Sequence, residues 1–329
     1  MTGNPNLVST KNILQEEQKK KGEAKEGEIW AFGGGKGGTG KTFIASCVGT
    51  SLAKRGSQTV LVDMDIGGAN LHSFMGLNRP QKSLTNFFEV GIPLSDLAVR
   101  TEVENLTLIT GDIHSLTSDT IKFTQKLKLF RQLMKLNAQN VVIDLGAGSH
   151  LNTLDTFLVA DKMIVVLVPE MIAVENMYHF VKNTLFRKVK KILKDYGFRE
   201  IAQLVWDRRQ NYGIKNLKEL MDYLKESFPY LGTILDQELA GFKISIVMNM
   251  VRTDQDIILG ASIKSVLMKY LGIPIQFAGI IEHSDAVWKS VREQKPFMLN
   301  YLSSSCAKSI EVLVDNLMHG KEVAITGGF

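Results

Sequence analysis

The sequence is poor in the features that staple a fold covalently or through a metal. Its 329 residues contain two cysteines, Cys47 and Cys306, far apart and without nearby histidine pairs. A disulfide framework, a CxxC metal site and a thiol redox pair are therefore excluded, and both thiols read as small core residues. No apolar run reaches the roughly 18 to 20 residues of a membrane span, and the polar N-terminus lacks the apolar stretch of a secretory signal. A cytoplasmic protein is expected. Neither charge sign dominates: a net charge of +5 permits an acidic partner surface without requiring one. What is present is a composition 44% hydrophobic and 22% charged, enough to bury one large core or two modest ones.

Residues 1–27 are rich in Lys, Glu, Gln, Asn and Gly and read as a flexible polar tail. Beyond them, short apolar runs ("IWAFGG", "TVLVDMD", "LTLITGD", "VVIDLGAG", "MIVVLVPE", "ISIVMNMV", "IQFAGIIE") alternate with segments of helical period at 41–54, 120–137 and 172–193. Near-continuous apolar strands spaced by helices predict a doubly wound, mostly parallel α/β sheet covered on both faces. The strands' C-terminal ends then share one edge, where the functional residues should gather.

At that edge lies "FGGGKGGTGKT", following one strand and running into a helix. Gly35 to Thr42 fit the pattern G-x-x-x-x-G-K-[ST] in the strand–loop–helix context that makes it a phosphate loop. Glycines let backbone N–H groups approach oxyanions, and the helix N-terminus adds partial positive charge. Lys41 should reach the β- and γ-phosphates and the Thr42 hydroxyl should ligate Mg²⁺. The plain alternative is a glycine-rich turn with no ligand. Lys36 is an extra, since an ammonium beside Lys41 is costly unless an anion lies near.

Two further strand ends carry acids. "TVLVDMDIGGAN" ends in Asp63 and Asp65, and "NVVIDLGAG" ends in Asp144 followed by Gly146. Asp144 has the form of the acid that holds Mg²⁺ through water, and Gly146 can turn an N–H toward the γ-phosphate. Alternatively, the first pair merely caps a turn.

"KGGTGKT" resembles the deviant Walker A loop of the MinD/ParA family of P-loop ATPases, a doubly wound fold of the SIMIBI type, and "DMDIGGAN" is similar to that family's D-x-D-x-G-x-x-N stretch. "DLGAG" and "YLGIPIQFAGIIEHSDAVWKSVREQKPFM" most resemble the FlhG/FleN branch, which counts and places flagella. The resemblance implies ATP/ADP and Mg²⁺ as cofactors, held by Gly35, Lys36, Gly37, Gly38, Thr39, Gly40, Lys41, Thr42 and Phe43. It puts Asn249 and Arg252 at the adenine, although Glu282 stands where a proline often contacts the base. Lys36 would act across a homodimer interface and Lys41 within its own subunit. Asp65 would orient the attacking water and, with Thr42 and Asp144, serve the metal, while Asp63 would support the Mg²⁺ shell.

The sequence departs from the family in three places. It lacks the N-terminal element with which FlhG-like proteins stimulate a partner GTPase, and its last residues lack the basic amphipathic helix that holds relatives on membranes. Residues about 186–242 read as a helical insertion within an ATPase domain spanning 28–329. There, Lys182, Arg187, Lys188, Lys190, Lys191, Lys194 and Arg199 line a basic helix, either a solvated face or a surface for DNA, lipid or an acidic partner. "VWDRRQNYG" is either a loop or a docking element.

These readings imply an ATP-dependent dimerisation switch, hydrolysing ATP slowly until a protein partner stimulates it, that positions a cellular structure such as a flagellum, secretion apparatus or division site. The alternative is a partition ATPase whose ATP dimer binds DNA non-specifically. The switch implies a cytoplasmic protein, with the membrane or nucleoid periphery as a further station. Iron–sulfur carriers and reductases of the same fold need interface cysteines that are absent here.

Overall fold

The computed structural model describes residues 27–65, 68–78, 80–111 and 123–323. The expected tail thus lies, but for Gly27, outside the described residues. One eight-stranded sheet organises the chain: β1 (Glu28–Gly33), β2 (Thr59–Met64), β3 (Val99–Arg100), β4 (Leu106–Ile109), β5 (Asn140–Leu145), β6 (Lys162–Leu167), β7 (Ile244–Val251) and β8 (Ile275–Glu282). Their order is β3-β4-β2-β5-β1-β6-β7-β8, parallel throughout except for the short β3–β4 pair.

The helices are α1 (Lys41–Lys54), α2 (Leu71–Phe74), α3 (Phe123–Leu133), α4 (Leu151–Phe157), α5 (Met171–Asp195), α6 (Arg199–Asp207), α7 (Leu217–Ser227), α8 (Pro229–Leu239), α9 (Asp254–Leu271), α10 (Asp285–Glu293), α11 (Phe297–Asn300) and α12 (Ser305–His319). α3 is shorter than the expected 120–137, of which 120–122 fall outside the described residues. Four helices, α5 to α8, fill the crossover from β6 to β7. "VWDRRQNYG" is not simply a loop, because Val205–Asp207 close α6.

The strands explain the architecture. In β1, Ile29 and Ala31 face one core while Trp30 and Phe32 face the other, because successive side chains alternate across a pleat. Every interior position is apolar, so both faces must be covered by helices. On one face α1 is sandwiched between the sheet and α12, with nearly every residue from Phe43 to Ala53 buried. On the other, Phe157 of α4 meets Phe180 of α5 edge-on at 5.1 Å. Among the described residues no helix is long and apolar enough to cross a membrane.

Candidate functional site

Parallel strands deliver their C-terminal ends to one edge. β1 ends at Gly33 and opens into the glycine loop; its neighbour β5 pairs Phe32 with Asp144, and β2 pairs Asp63 with Asp144. The loop, Asp65, Asp144 and Asn249 are thereby gathered.

Within the loop Gly40 takes φ +84°, and a Cβ there would stand 2.3 Å from the Asn249 side-chain nitrogen. Only glycine fits, and the turn sends α1 inward with its first N–H groups facing the loop. Asn249 Nδ2 donates to the Thr39 carbonyl at 3.0 Å, a buried bond that ties β7 to the loop. The side chain assigned to adenine reading thus also braces the phosphate loop. Its neighbour Met250 adopts φ +58°, left-handed, within a register shift between β7 and β8. Arg252 is exposed, its backbone N–H capped by Asp256. The Phe43 side chain packs on Phe297 at 5.1 Å, leaving only its main chain for a ligand.

Lys41 is 7% exposed and donates from Nζ to the Lys36 carbonyl at 3.2 Å. Burial lowers its pKa, opposed by the charges of Asp144 and Asp65. Asp144 is the most frustrated group here. No hydrogen bond of good geometry reaches either carboxylate oxygen, although the Thr42 hydroxyl lies close enough to act on it. Burial, then the Asp63 charge, push the Asp144 pKa up to about 8 against the pull of Thr42 and Lys41. The Thr39 hydroxyl is likewise buried and unpartnered. Orphaned acceptors cost free energy unless a ligand completes them. Among the described residues no three His, Cys, Asp or Glu side chains converge as a metal site. A cation beside Asp144 would therefore need most of its ligands from phosphate and water, as Mg²⁺ accepts.

Asp63 Oδ1 accepts from the Asp65 N–H at 3.1 Å and its Oδ2 from the Leu71 N–H at 3.0 Å, so it shapes the turn after β2. Burial still raises its pKa to about 6. Asp65 lies against the loop after β5, where a Cβ on Gly146 would sit 2.8 Å from its Oδ1. That loop also touches the glycine loop, Gly148 N–H donating to the Gly34 carbonyl at 3.0 Å.

Lys36 turns outward, its Nζ 3.3 Å from Glu170 Oε2 at the start of α5. Sequence reasoning missed this partner; the signal was an acid three residues after a buried strand on the same edge.

Two cations of the basic helix are paired inside the chain. Arg187 binds Asp155 of α4 through Nε at 2.8 Å and Nη2 at 3.0 Å, and Lys126 joins the same carboxylate at 2.7 Å. Lys188 pairs with Glu238 at 3.3 Å, and burial drops Lys191 to a pKa of about 8. α4 and α8 thus supply acids to part of this helix.

Comparison with known proteins agrees with this geometry. The septum site-determining protein MinD of Bacillus subtilis is 30% identical over 218 residues, covering 64% of this chain and 77% of that protein. MinD of Buchnera aphidicola from Acyrthosiphon pisum is 28% identical over 143 residues, and there the match spans only 53% of the relative and 43% of this chain. The solved structure of Pyrococcus horikoshii MinD, described as complexed with Mg-ADP, shares the fold with a TM-score of 0.59 at 18% identity, over 88% of this chain and 95% of that one. The family described as CobQ/CobB/MinD/ParA nucleotide binding domain matches residues 30–297. With its loop, its strand-end acids and four-fifths of its length accounted for in this way, the chain belongs to the CobQ/CobB/MinD/ParA family of nucleotide-binding domains.

Proposed function

We propose that the protein is a Mg²⁺-dependent ATPase whose ATP state is a homodimer and whose output is the placement of a cellular structure. The observation that carries the reading is the arrangement of two lysines on one glycine loop: Lys41 buried against orphaned Asp144, Lys36 exposed and facing outward. Within one subunit, Lys41 and the loop N–H groups would hold a triphosphate, Thr42 and Asp144 would hold the ion, and Asp65 would orient the nucleophilic water. The bound Mg²⁺ would neutralise charge on the transferring phosphate. Lys36 points away from its own loop and is free to serve a second copy's nucleotide once it leaves Glu170. Hydrolysis by a lone subunit is then slow, and a partner protein sets the turnover.

The names of the relatives support a positioning role, and the wording of "DLGAG" favours flagella over septa. The partition reading needs a run of free cations on α5, where Arg187 and Lys188 are ion-paired inside the chain and Lys191 is partly buried. Light scattering on the Asp65→Ala variant tests the switch: dimer with ATP and monomer without it is expected, and a monomer in both conditions rejects it.

A further inference from the structure

Between residues 182 and 209 the sequence carries nine Lys or Arg against three Asp or Glu, a surplus of six in a chain of net charge +5. Once the internal pairs of Arg187 and Lys188 are set aside, two of the seven remaining cations, Lys190 and Arg209, stack on a common pair of rings. Lys190 Nζ sits 4.9 Å from the Phe186 ring centre, Phe186 lies 5.4 Å from Trp206, and the Arg209 guanidinium lies 4.9 Å over Trp206. This is a four-membered ladder, cation–ring–ring–cation, bridging α5 and the end of α6. The exposed Arg208 adjoins it.

We propose that this ladder is a docking face for an acidic segment of a partner protein. The proposal names the partner class for the switch described above, and it rests on that reading only for its biological use. Stacking on rings restrains the long basic side chains before any partner arrives, so less entropy is lost on binding. Arg209 commits Nη1 to the Trp206 carbonyl at 3.0 Å and keeps its other donors for a carboxylate fork. The face is short and interrupted by Glu200 and Asp207, which suits a peptide carboxylate better than the long phosphate track of a duplex. Leu204 is the one large aliphatic side chain exposed among the described side chains of α6, too little for bilayer insertion.

The face is also tied to the nucleotide edge. Arg187, next to Phe186, grips Asp155 on α4, the helix that follows the Asp144 strand and its glycine loop.

The test is fluorescence anisotropy of a labelled poly-glutamate peptide added to the nucleotide-free full chain, with a duplex oligonucleotide and phosphatidylglycerol vesicles as competing probes. Expected is peptide binding that weakens from about 50 to about 300 mM salt. The Arg208→Glu/Arg209→Glu variant should lose about tenfold in affinity or more, Arg209→Lys should lose about threefold because the stacked fork is gone while the charge stays, and the distant Lys308→Glu should lose little. Equal loss in Lys308→Glu, no peptide binding, or preference for duplex or vesicles overturns the proposal. Circular dichroism of each variant separates misfolding from lost contact, and Arg209→Lys keeps the test decisive if the double reversal unfolds, since unchanged binding in it overturns the carboxylate fork. Because ATP is absent, failure here leaves the dimer switch standing, and failure of the light-scattering test leaves this one standing.

Discussion

Asp63 and Asp144 stand in register on neighbouring strands β2 and β5, two carboxylates buried side by side at the mouth of the glycine loop. Asp63 is satisfied by backbone N–H groups; Asp144 is not. The fold therefore holds a charge deficit at Asp144 that a cation would relieve.

Asp144→Asn should stabilise the ligand-free protein while abolishing Mg²⁺-dependent nucleotide binding. A carboxyl whose folded-state pKa is raised, here to about 8, gives its greatest stability below its ordinary value of 3.8 and loses it as pH rises toward 8. The variant's advantage should therefore grow from pH 5 to pH 8, by about 2 kcal/mol after allowance for coupling to Asp63. Thermal melts in chelator at the two pH values check it, and a gap that does not widen refutes the assignment.

Lys41→Ala should abolish nucleotide binding, because the main cation of the loop is gone. Lys36→Ala should still bind ATP but dimerise and hydrolyse poorly. Titration with a fluorescent ATP analogue alongside phosphate release separates the two; equal loss of binding in both would make Lys36 an ordinary loop lysine.

Glu170→Gln removes the anion that holds Lys36 in the single chain. Both side chains are exposed, so stability should change by less than about 0.5 kcal/mol. ATP-dependent dimerisation should appear at lower protein concentration, as read by analytical ultracentrifugation; weaker dimerisation would mean that Glu170 itself belongs to the interface.

Asp155→Ala strands Arg187 and Lys126, and it should cost about 2 kcal/mol at neutral pH, less than a fully buried pair because Arg187 is half-buried. The two cations hold the Asp155 pKa below 3.8 despite burial. Its contribution is thus present above that value and fades as pH falls through the folded pKa, so the melts of variant and parent should converge in strong acid.

Met250→Gly should raise the melting temperature, because a left-handed backbone strains a residue with a Cβ by about 1 kcal/mol. A fall in stability would show that the Met250 side chain packs better than its 38% exposure implies.

The strands, the glycine loop and the acids at strand ends were legible because each is a local pattern: apolar runs, G-x-x-x-x-G-K-T, an acid closing a hydrophobic strand. The basic helix was legible as a helix, but which of its charges are paired inside the chain was not. Its counter-charges, Asp155 and Glu238, lie 32 and 50 residues away along the chain from Arg187 and Lys188. Glu170 escaped for the same reason, lying 134 residues from Lys36.

Sequence alone determined that the sheet is covered on both faces, since near-continuous apolar strands cannot face water, and it determined the loop, since glycine adopts its left-handed turns without strain. Tertiary structure decided which charges are available. Ion pairing depends on distance in space, and folding spent Arg187 and Lys188 on internal partners while leaving Lys36 near the surface and Asp144 buried without one.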